Sequence, residues 1–314
     1  MGKIAFLFPG QGSQQVGMGK DIIEKYSEAA DIFRKADQRL DYPLSEIILN
    51  GPEDKLTLTE NTQPAILTVS CALLKLLEEE GLQPDYTAGH SLGEYSALVS
   101  SKALSFEDAV FAVRKRGMFM EEAVPAGAGT MAAVLGMKAD KLKEVCEKVE
   151  ADGDTVQLAN LNSSSQIVIS GTKEGVEKAS ALAKESGAKR VVPLNVSGPF
   201  HSSLMKPAAE KLEGVLSAVD IHDAEIPLIA NVTADLVTEA NDIQEHLIEQ
   251  LYSPVRWVES VEKMKEFGVD TYVEVGPGNV LSGLVKKVDR RAAIYQVNSL
   301  ETFEQTVQAL KERA

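Results

Sequence analysis

Gly89-His90-Ser91-Leu92-Gly93 is a G-x-S-x-G pattern set between two different kinds of local sequence. Before it, Tyr86-Thr87-Ala88 ends a short run suited to a strand; after it, Leu92-Gly93-Glu94-Tyr95-Ser96-Ala97-Leu98-Val99 suits a helix. The five-letter pattern alone arises by chance in glycine-containing loops. Strand, sharp turn and helix together are the context of a nucleophile elbow. Gly89 and Gly93 let neighbouring backbone approach the turn. Such a turn lifts the Ser91 hydroxyl to the top of a sheet above a helix N-terminus. The Leu92 amide is then free to donate to a developing oxyanion.

Upstream, residues 3–8 form an apolar run closed by Pro9-Gly10-Gln11-Gly12-Ser13-Gln14, a strand followed by a loop. Neither glycine-rich phosphate motif is met there: G-x-G-x-x-G fails at Gln15, and Gly19-Lys20 lacks the P-loop's earlier glycine and is followed by Asp21. The loop still offers backbone amides at the carboxyl end of a strand, where α/β proteins place ligands. Apolar periodicity predicts helices over 20–40 and over 64–80, the second stopped by Gly81. Downstream, Phe106 to Ala123 reads as one helix carrying Arg114-Lys115-Arg116. A basic cluster on a helix is usually a solvated face, but Val113, Gly117 and Met120 around Arg116 favour its burial.

Composition changes at Gly127-Ala128-Gly129, and from there to Val196 the predicted order is β-α-β-β-α-β, the split pattern of a ferredoxin-like unit. The expected organisation is therefore a large discontinuous domain, 1–126 and 197–314, with a small subdomain at 127–196 inserted in it. After the insertion come a helix at 206–219, a strand at 227–231, helices at 243–251 and 254–267, a strand at 271–275 ending in Gly276-Pro277-Gly278, and a last helix carrying Lys286, Lys287, Arg290 and Arg291. Strands alternating with helices imply an α/β fold with a largely parallel sheet covered on both faces.

The chain has 314 residues, 44% hydrophobic and 25% charged, enough for a sizeable core. A formal net charge of -15 argues for solubility and against non-specific nucleic-acid binding. No apolar run nears the roughly 20 residues that span a bilayer. Met1 to Pro9 is too short an apolar run for a signal peptide, and Met1-Gly2 lacks the Ser or Thr a myristoylation site needs. Cys71 and Cys146 sit among apolar helical residues and read as free thiols of a reducing cytoplasm.

Serine needs a base to take its proton. There are four histidines. His90 adjoins Ser91 and is expected to point elsewhere; His246 lies between Glu245 and Glu249, solvated; His222 lies in a polar connection. His201, in the loop Gly198-Pro199-Phe200-His201, remains as the best base, although elimination alone does not decide it. No histidine spacing suits a zinc site, and no metal is expected.

Taken together, Phe8-Pro9-Gly10-Gln11-Gly12-Ser13-Gln14, Gly89 to Tyr95, Arg116-Gly117, Asn160-Leu161-Asn162-Ser163, Phe200-His201, Gln250 to Val255 and Glu274 to Gly278 resemble the malonyl-CoA:acyl-carrier-protein transacylases of fatty acid synthesis. They also resemble the related acyltransferase domains of polyketide synthases. The resemblance implies a hydrolase-like α/β core with a ferredoxin-like insertion. It implies Ser91 as nucleophile, His201 as base, and the amides of Gln11 and Leu92 as oxyanion hole. It implies that Arg116 grips the malonyl carboxylate, a task suited to a planar fork that stays charged. Gln250 would orient His201 through its main-chain carbonyl, making a dyad with no acidic third member. Asn160 and Asn162 would help line the site, and Phe200 would crowd the acyl α-carbon.

The implied reaction is ping-pong transfer from malonyl-CoA to acyl carrier protein, with no cofactor, by a cytoplasmic monomer. A serine thioesterase or esterase shares the elbow but has no need of Arg116, and a polyketide acyltransferase shares both. A non-catalytic module that binds carrier protein would not be acylated at Ser91. Carrier proteins are acidic, as this chain is, so docking calls for a local basic patch. Lys286, Lys287, Arg290 and Arg291, on one face of the last helix, are the candidate, although cations there also suit the helix dipole.

Overall fold

The computed structural model describes residues 2–125 and 127–313. Strand β1 (Lys3–Phe8) sets the layout. Phe6 and Phe8 face one apolar cluster and Ala5 and Leu7 another, as a period of two requires. A strand buried on both faces needs a helical layer on each. The helices Thr59–Glu79 and Phe106–Glu122 cover the Phe6 side; Trp257–Glu266 and Val280–Val288 cover the Leu7 side.

The other strands are β2 (Tyr86–Gly89), β3 (Gly129–Leu135), β4 (Val156–Ser163), β5 (Gln166–Thr172), β6 (Arg190–Pro193), β7 (Leu228–Ile229), β8 (Leu236–Val237), β9 (Val269–Val275) and β10 (Ala293–Val297). One sheet has the order β10-β9-β1-β2-β7-β8 and is parallel except for the β7-β8 pair. The second, antiparallel, has the order β4-β5-β3-β6, which is the ferredoxin-like arrangement, with the helices Ala139–Ala151 and Lys173–Glu185 as its crossovers. The mixed α/β architecture read from the sequence is thus the one the molecule has. The two sheets are stitched together where Val255 N–H donates to Ala159 O and Leu161 N–H to Val255 O, both at 2.8 Å. Because β1, β2, β7 and β9 run parallel, the loops holding Gln11, Ser91, Asn231 and Gly276–Gly278 open at one edge. β1 pairs with β2 on one side and β9 on the other, so the chain turns in both directions from it, the kind of point where α/β sheets bind ligands.

Several elements differ from the sequence reading. Residues 20–40 are two helices, Lys20–Lys25 and Ser27–Leu40, broken by extended backbone at Tyr26. Two short helices, Leu44–Asn50 and Glu53–Thr57, precede the long one, which starts at Thr59 and passes through Pro64. The proline removes the N–H that Glu60 O would have accepted; Arg114 Nη1 donates to that oxygen instead, at 3.2 Å. The helix at 206 ends at Leu216, and the strand expected at 227–231 is only Leu228–Ile229. The helices expected at 243–251 and 254–267 are Ala240–Glu249 and Trp257–Glu266. Asp289 is extended and ends the helix at Val288, so Arg290 and Arg291 do not share a helix face with Lys286 and Lys287. Beyond it lie β10 and the helix Leu300–Arg313, neither foreseen. Of that helix's fourteen residues only Phe303, Thr306 and Leu310 are buried, too sparse a stripe to read as a core helix. Cys71 and Cys146 are free and buried, and no helix among the described residues is long and apolar enough to cross a membrane.

The elbow needs both glycines. A Cβ on Gly93 would sit 2.0 Å from Phe8 O, and one on Gly89 would sit 1.9 Å from Gly93 C. The helix Gly93–Ser100 therefore starts directly against the ends of β1 and β2. Gly93→Ala should lower stability by at least about 2 kcal/mol, read as a fall in urea midpoint. A wild-type midpoint would show that this approach is not tight.

Candidate active site

Ser91 has φ 52°, in the left-handed region that a serine occupies only when its surroundings hold it there. Asn231, at the end of β7, does the holding. Its Oδ1 accepts Ser91 N–H at 2.7 Å and its Nδ2 donates to Gly89 O at 2.6 Å. Leu92 caps the helix Gly93–Ser100, so its N–H is one of the amides a helix start leaves without an internal partner. Among the described residues, neither it nor the Gln11 N–H donates to a protein acceptor, and both residues line the cavity that Ser91 faces.

His201 also has a positive φ, 59°. Its Nε2 lies 2.8 Å from Ser91 Oγ, and its Nδ1–H donates to Gln250 O at 2.8 Å. That carbonyl is available because Gln250 sits at the end of the helix Ala240–Glu249, whose last carbonyls lack helical donors. A carbonyl can only accept, so Nδ1 carries the proton and Nε2 keeps a lone pair toward Ser91. Burial first, and the nearby Arg116 charge second, lower the imidazole to about 3. The pair can move a proton from Ser91 Oγ to His201 Nε2.

Arg116 is 1% exposed. Its Nη1 donates to Gln63 Oε1 at 2.7 Å, and its Nη2 donates to Gln250 Oε1 at 2.8 Å and to Ser91 Oγ at 3.2 Å. It forms no ion pair with a carboxylate among the described residues; two amide oxygens hold the charge instead. Gln250 Nε2 donates onward to Glu94 Oε2 at 2.5 Å, and Glu94 Oε1 accepts Asn231 N–H at 3.2 Å. Burial pushes Glu94 up to about 7.

The cavity over Ser91 has a volume of about 160 Å³ and is bounded by Gln11, Arg116, Met131, Asn160, Leu194, Phe200 and His201. A second cavity of about 220 Å³ shares Gln11, His90, Asn160 and Leu194 with it and continues past Asn162 and Gln166 to Val280. Asn162 Oδ1 pairs with His90 Nε2 at 2.8 Å, and the His90 ring packs 5.5 Å from Trp257. His90 thus fixes the wall while its side chain points away from Ser91. His222 is exposed and His246 half-buried, and neither lines the cavity over Ser91 or the one beside it.

The structure therefore brings Ser91, His201, Gln11, Leu92, Arg116, Phe200 and Asn160 to one cavity and Asn162 to the adjoining one, with Gln250 buried behind His201 and Arg116. Lys287 is near the second cavity, donating to Gln166 Oε1 at 2.7 Å, and Lys286 is its exposed neighbour; Arg290 and Arg291 lie past the helix end. Gln63, Glu94 and Asn231 were not singled out from sequence. Glu94 had a signal: it is the one charge in the otherwise apolar stretch Leu92 to Val99.

The geometry and fold together define an acyl transferase of the elbow type. The chain matches the family described as "Acyl transferase domain" over residues 5–309 and belongs to it. It is 62% identical over 312 residues to the malonyl CoA-acyl carrier protein transacylase of Bacillus subtilis strain 168, covering 99% of this chain and 98% of that one. Among solved structures it resembles an acyl carrier protein S-malonyltransferase from Vibrio cholerae, with 43% identity, a TM-score of 0.94, and 97% and 99% of the two chains covered. It also resembles a malonyl-transacylase solved with its holo type II PKS acyl carrier protein, with 40% identity, a TM-score of 0.95, and 98% and 99% covered.

A free imidazole gains its proton near 6.5, whereas His201 is lowered to about 3. Protonation removes the base, so activity is lost as pH falls through the lower value and not through 6.5. Labelling of Ser91 by a neutral fluorophosphonate, which asks nothing of the Arg116 charge, followed from about pH 8 down to about pH 5, should show no acid limb near 6.5. A limb centred there would mean that the imidazole titrates freely.

Proposed function

We propose that this chain transfers the malonyl group of malonyl-CoA to the phosphopantetheine thiol of acyl carrier protein through a malonyl ester on Ser91, supplying fatty acid synthesis. The observation that carries the reading is the buried Arg116 guanidinium 3.2 Å from the Ser91 hydroxyl, held by neutral amides and, among the described residues, paired with no carboxylate. A thioesterase or esterase acting on uncharged acyl groups has no use for such a charge. A dicarboxylic acyl group does: its free carboxylate can meet the planar fork while its thioester carbonyl sits at Ser91.

In the first half-reaction His201 Nε2 takes the Ser91 proton, and Oγ attacks the thioester carbonyl carbon. The N–H groups of Leu92 and Gln11 receive the oxyanion. The C–S bond breaks, and the imidazolium returns its proton to the coenzyme A thiolate. In the second, His201 deprotonates the carrier thiol, the sulfur attacks the malonyl ester, and Ser91 Oγ recovers the proton. Nothing is oxidised or reduced, so thioester exchange on this path asks for no redox cofactor, and the mechanism draws on no metal. The Gln250 carbonyl orients His201, Phe200 crowds the acyl α-carbon, and Asn160 and Asn162 line the path of the pantetheine arm. The working division is a catalytic core of 1–126 and 197–314 around an inserted unit of 127–196, acting as a cytoplasmic monomer.

For the carrier, we favour Lys286 and Lys287 alone as the docking cations. They lie in the last turn of the helix Val280–Val288, whose first residue rims the second cavity, roughly 9 Å along the axis. Lys286→Glu with Lys287→Glu should slow transfer to carrier protein and weaken that step's salt dependence while sparing acylation by malonyl-CoA. Equal effects on both half-reactions, or none, would place docking elsewhere.

The function itself is tested at Arg116. Arg116→Ala should lower kcat/KM for malonyl-CoA by about tenfold to several hundredfold, the worth of a charge-assisted pair, and acetyl-CoA far less. Equal losses for the two acyl groups would show that Arg116 only supports the fold.

A further inference from the structure

Glu94 is a buried carboxylate that the transfer steps do not use, and its surroundings are ordered by hydrogen-bond polarity. Gln250 turns its amide oxygen to Arg116 Nη2, at 2.8 Å. It turns its Nε2 to Glu94 Oε2, at 2.5 Å, and to the Ser91 carbonyl, at 3.0 Å. The other carboxylate oxygen of Glu94 accepts Asn231 N–H, and the Asn231 side chain brackets the elbow through Ser91 N–H and Gly89 O. Glu94 thus touches both supports of the site, the elbow clamp and the residue that holds Arg116.

An amide has one accepting end and one donating end, and the Glu94 carboxylate, ionised above about 7, then only accepts. Glu94, together with the Ser91 carbonyl, therefore takes the donating end of Gln250, and the oxygen end is left to face the guanidinium. With the amide reversed, an NH₂ group would point at the Arg116 donors and an oxygen at the Glu94 carboxylate, two repulsive contacts in a buried space. The Glu94 charge also acts on Arg116 across this single amide.

We propose that Glu94 is a positioning residue for the acyl carboxylate: it fixes the orientation of the Gln250 amide and so aims Arg116 at the acyl pocket, governing selection of a carboxylated acyl group without touching it. The inference rests on the reading of Arg116 as carboxylate binder and adds the group that sets its aim.

Glu94→Gln keeps the shape and removes one acceptor. A glutamine there has one oxygen, which cannot stand in both carboxylate positions, the one facing Asn231 N–H and the one facing Gln250 Nε2. If its oxygen stays on Asn231, its NH₂ faces Gln250 and drives the amide reversal. The expected result is a KM for malonyl-CoA raised about ten- to a hundredfold with a smaller change in kcat, because binding is lost in ground and transition states alike. Acetyl-CoA transfer and labelling of Ser91 by a neutral fluorophosphonate should change by no more than about threefold. Glu94→Asp, which keeps two acceptors on a shorter stem, is measured beside it and should raise the malonyl KM by less. It decides the matter by the same criterion if Glu94→Gln does not fold. Arg116→Ala is the reference arm. If that variant fails to separate malonyl from acetyl, the reading of Arg116 is what falls. If it separates them and the folded Glu94 variants lose malonyl transfer, acetyl transfer and labelling together, or lose nothing, Glu94 is only a structural residue and the proposal is overturned.

Discussion

A full positive charge sits out of water beside the Ser91 hydroxyl, and much of the site can be understood as what that charge requires. Burying an ion costs several kcal/mol unless dipoles or charges face it. Here the dipoles are the amide oxygens of Gln63 and Gln250, which arrive from the helix Thr59–Glu79 and from the end of the helix Ala240–Glu249. The helix that carries Arg116 must lie close against the first of these. Gly117 permits it: a Cβ there would stand 2.7 Å from Thr59 O. The same charge acts on His201 and, with burial, keeps the imidazole neutral. One buried guanidinium thus serves as a candidate anion receptor and helps hold its neighbour in the form a base must have.

The second requirement is backbone strain at the two side chains of the candidate dyad. Ser91 and His201 both have positive φ, a conformation that costs about 1–3 kcal/mol for such residues. Each is held by main-chain or amide hydrogen bonds from another element: Asn231 clamps the serine turn, and Leu251 O accepts His201 N–H at 3.1 Å. The parallel sheet makes this possible. It delivers the ends of β1, β2 and β7 to one edge, so residues 11, 91 and 231, distant in sequence, meet without any long excursion of the chain.

What the sequence disclosed follows from which signals are local. The elbow was legible because strand, glycine-flanked serine and helix are contiguous. The antiparallel sheet was legible because its strands and two helices follow one another in the split order and the helices carry apolar stripes. Arg116 stood out by its apolar neighbours. The support of the site was not legible, because it is made of polar side chains that meet only in three dimensions. Gln63 lies in a helix whose residues are nearly all buried, so the one that faces Arg116 bears no mark. Asn231 looks like the polar end of a strand. Glu94 alone was exposed to reasoning, as a single acid in an apolar helix, a placement that burial makes costly unless donors await it. The C-terminal region misled for a different reason. A one-residue change of backbone at Asp289 ends the helix, and no residue type there announces it.

In the mechanism proposed, Ser91 carries the acyl group and the buried charge beside it selects a carboxylated one. The most direct measurement is intact and peptide mass of the chain quenched after mixing with malonyl-CoA, then after adding holo acyl carrier protein. A malonyl adduct is expected on the peptide containing Ser91, lost on addition of carrier with malonyl-carrier as the product. No adduct, an adduct on another residue, or loss of the adduct to free malonate in place of malonyl-carrier would contradict it.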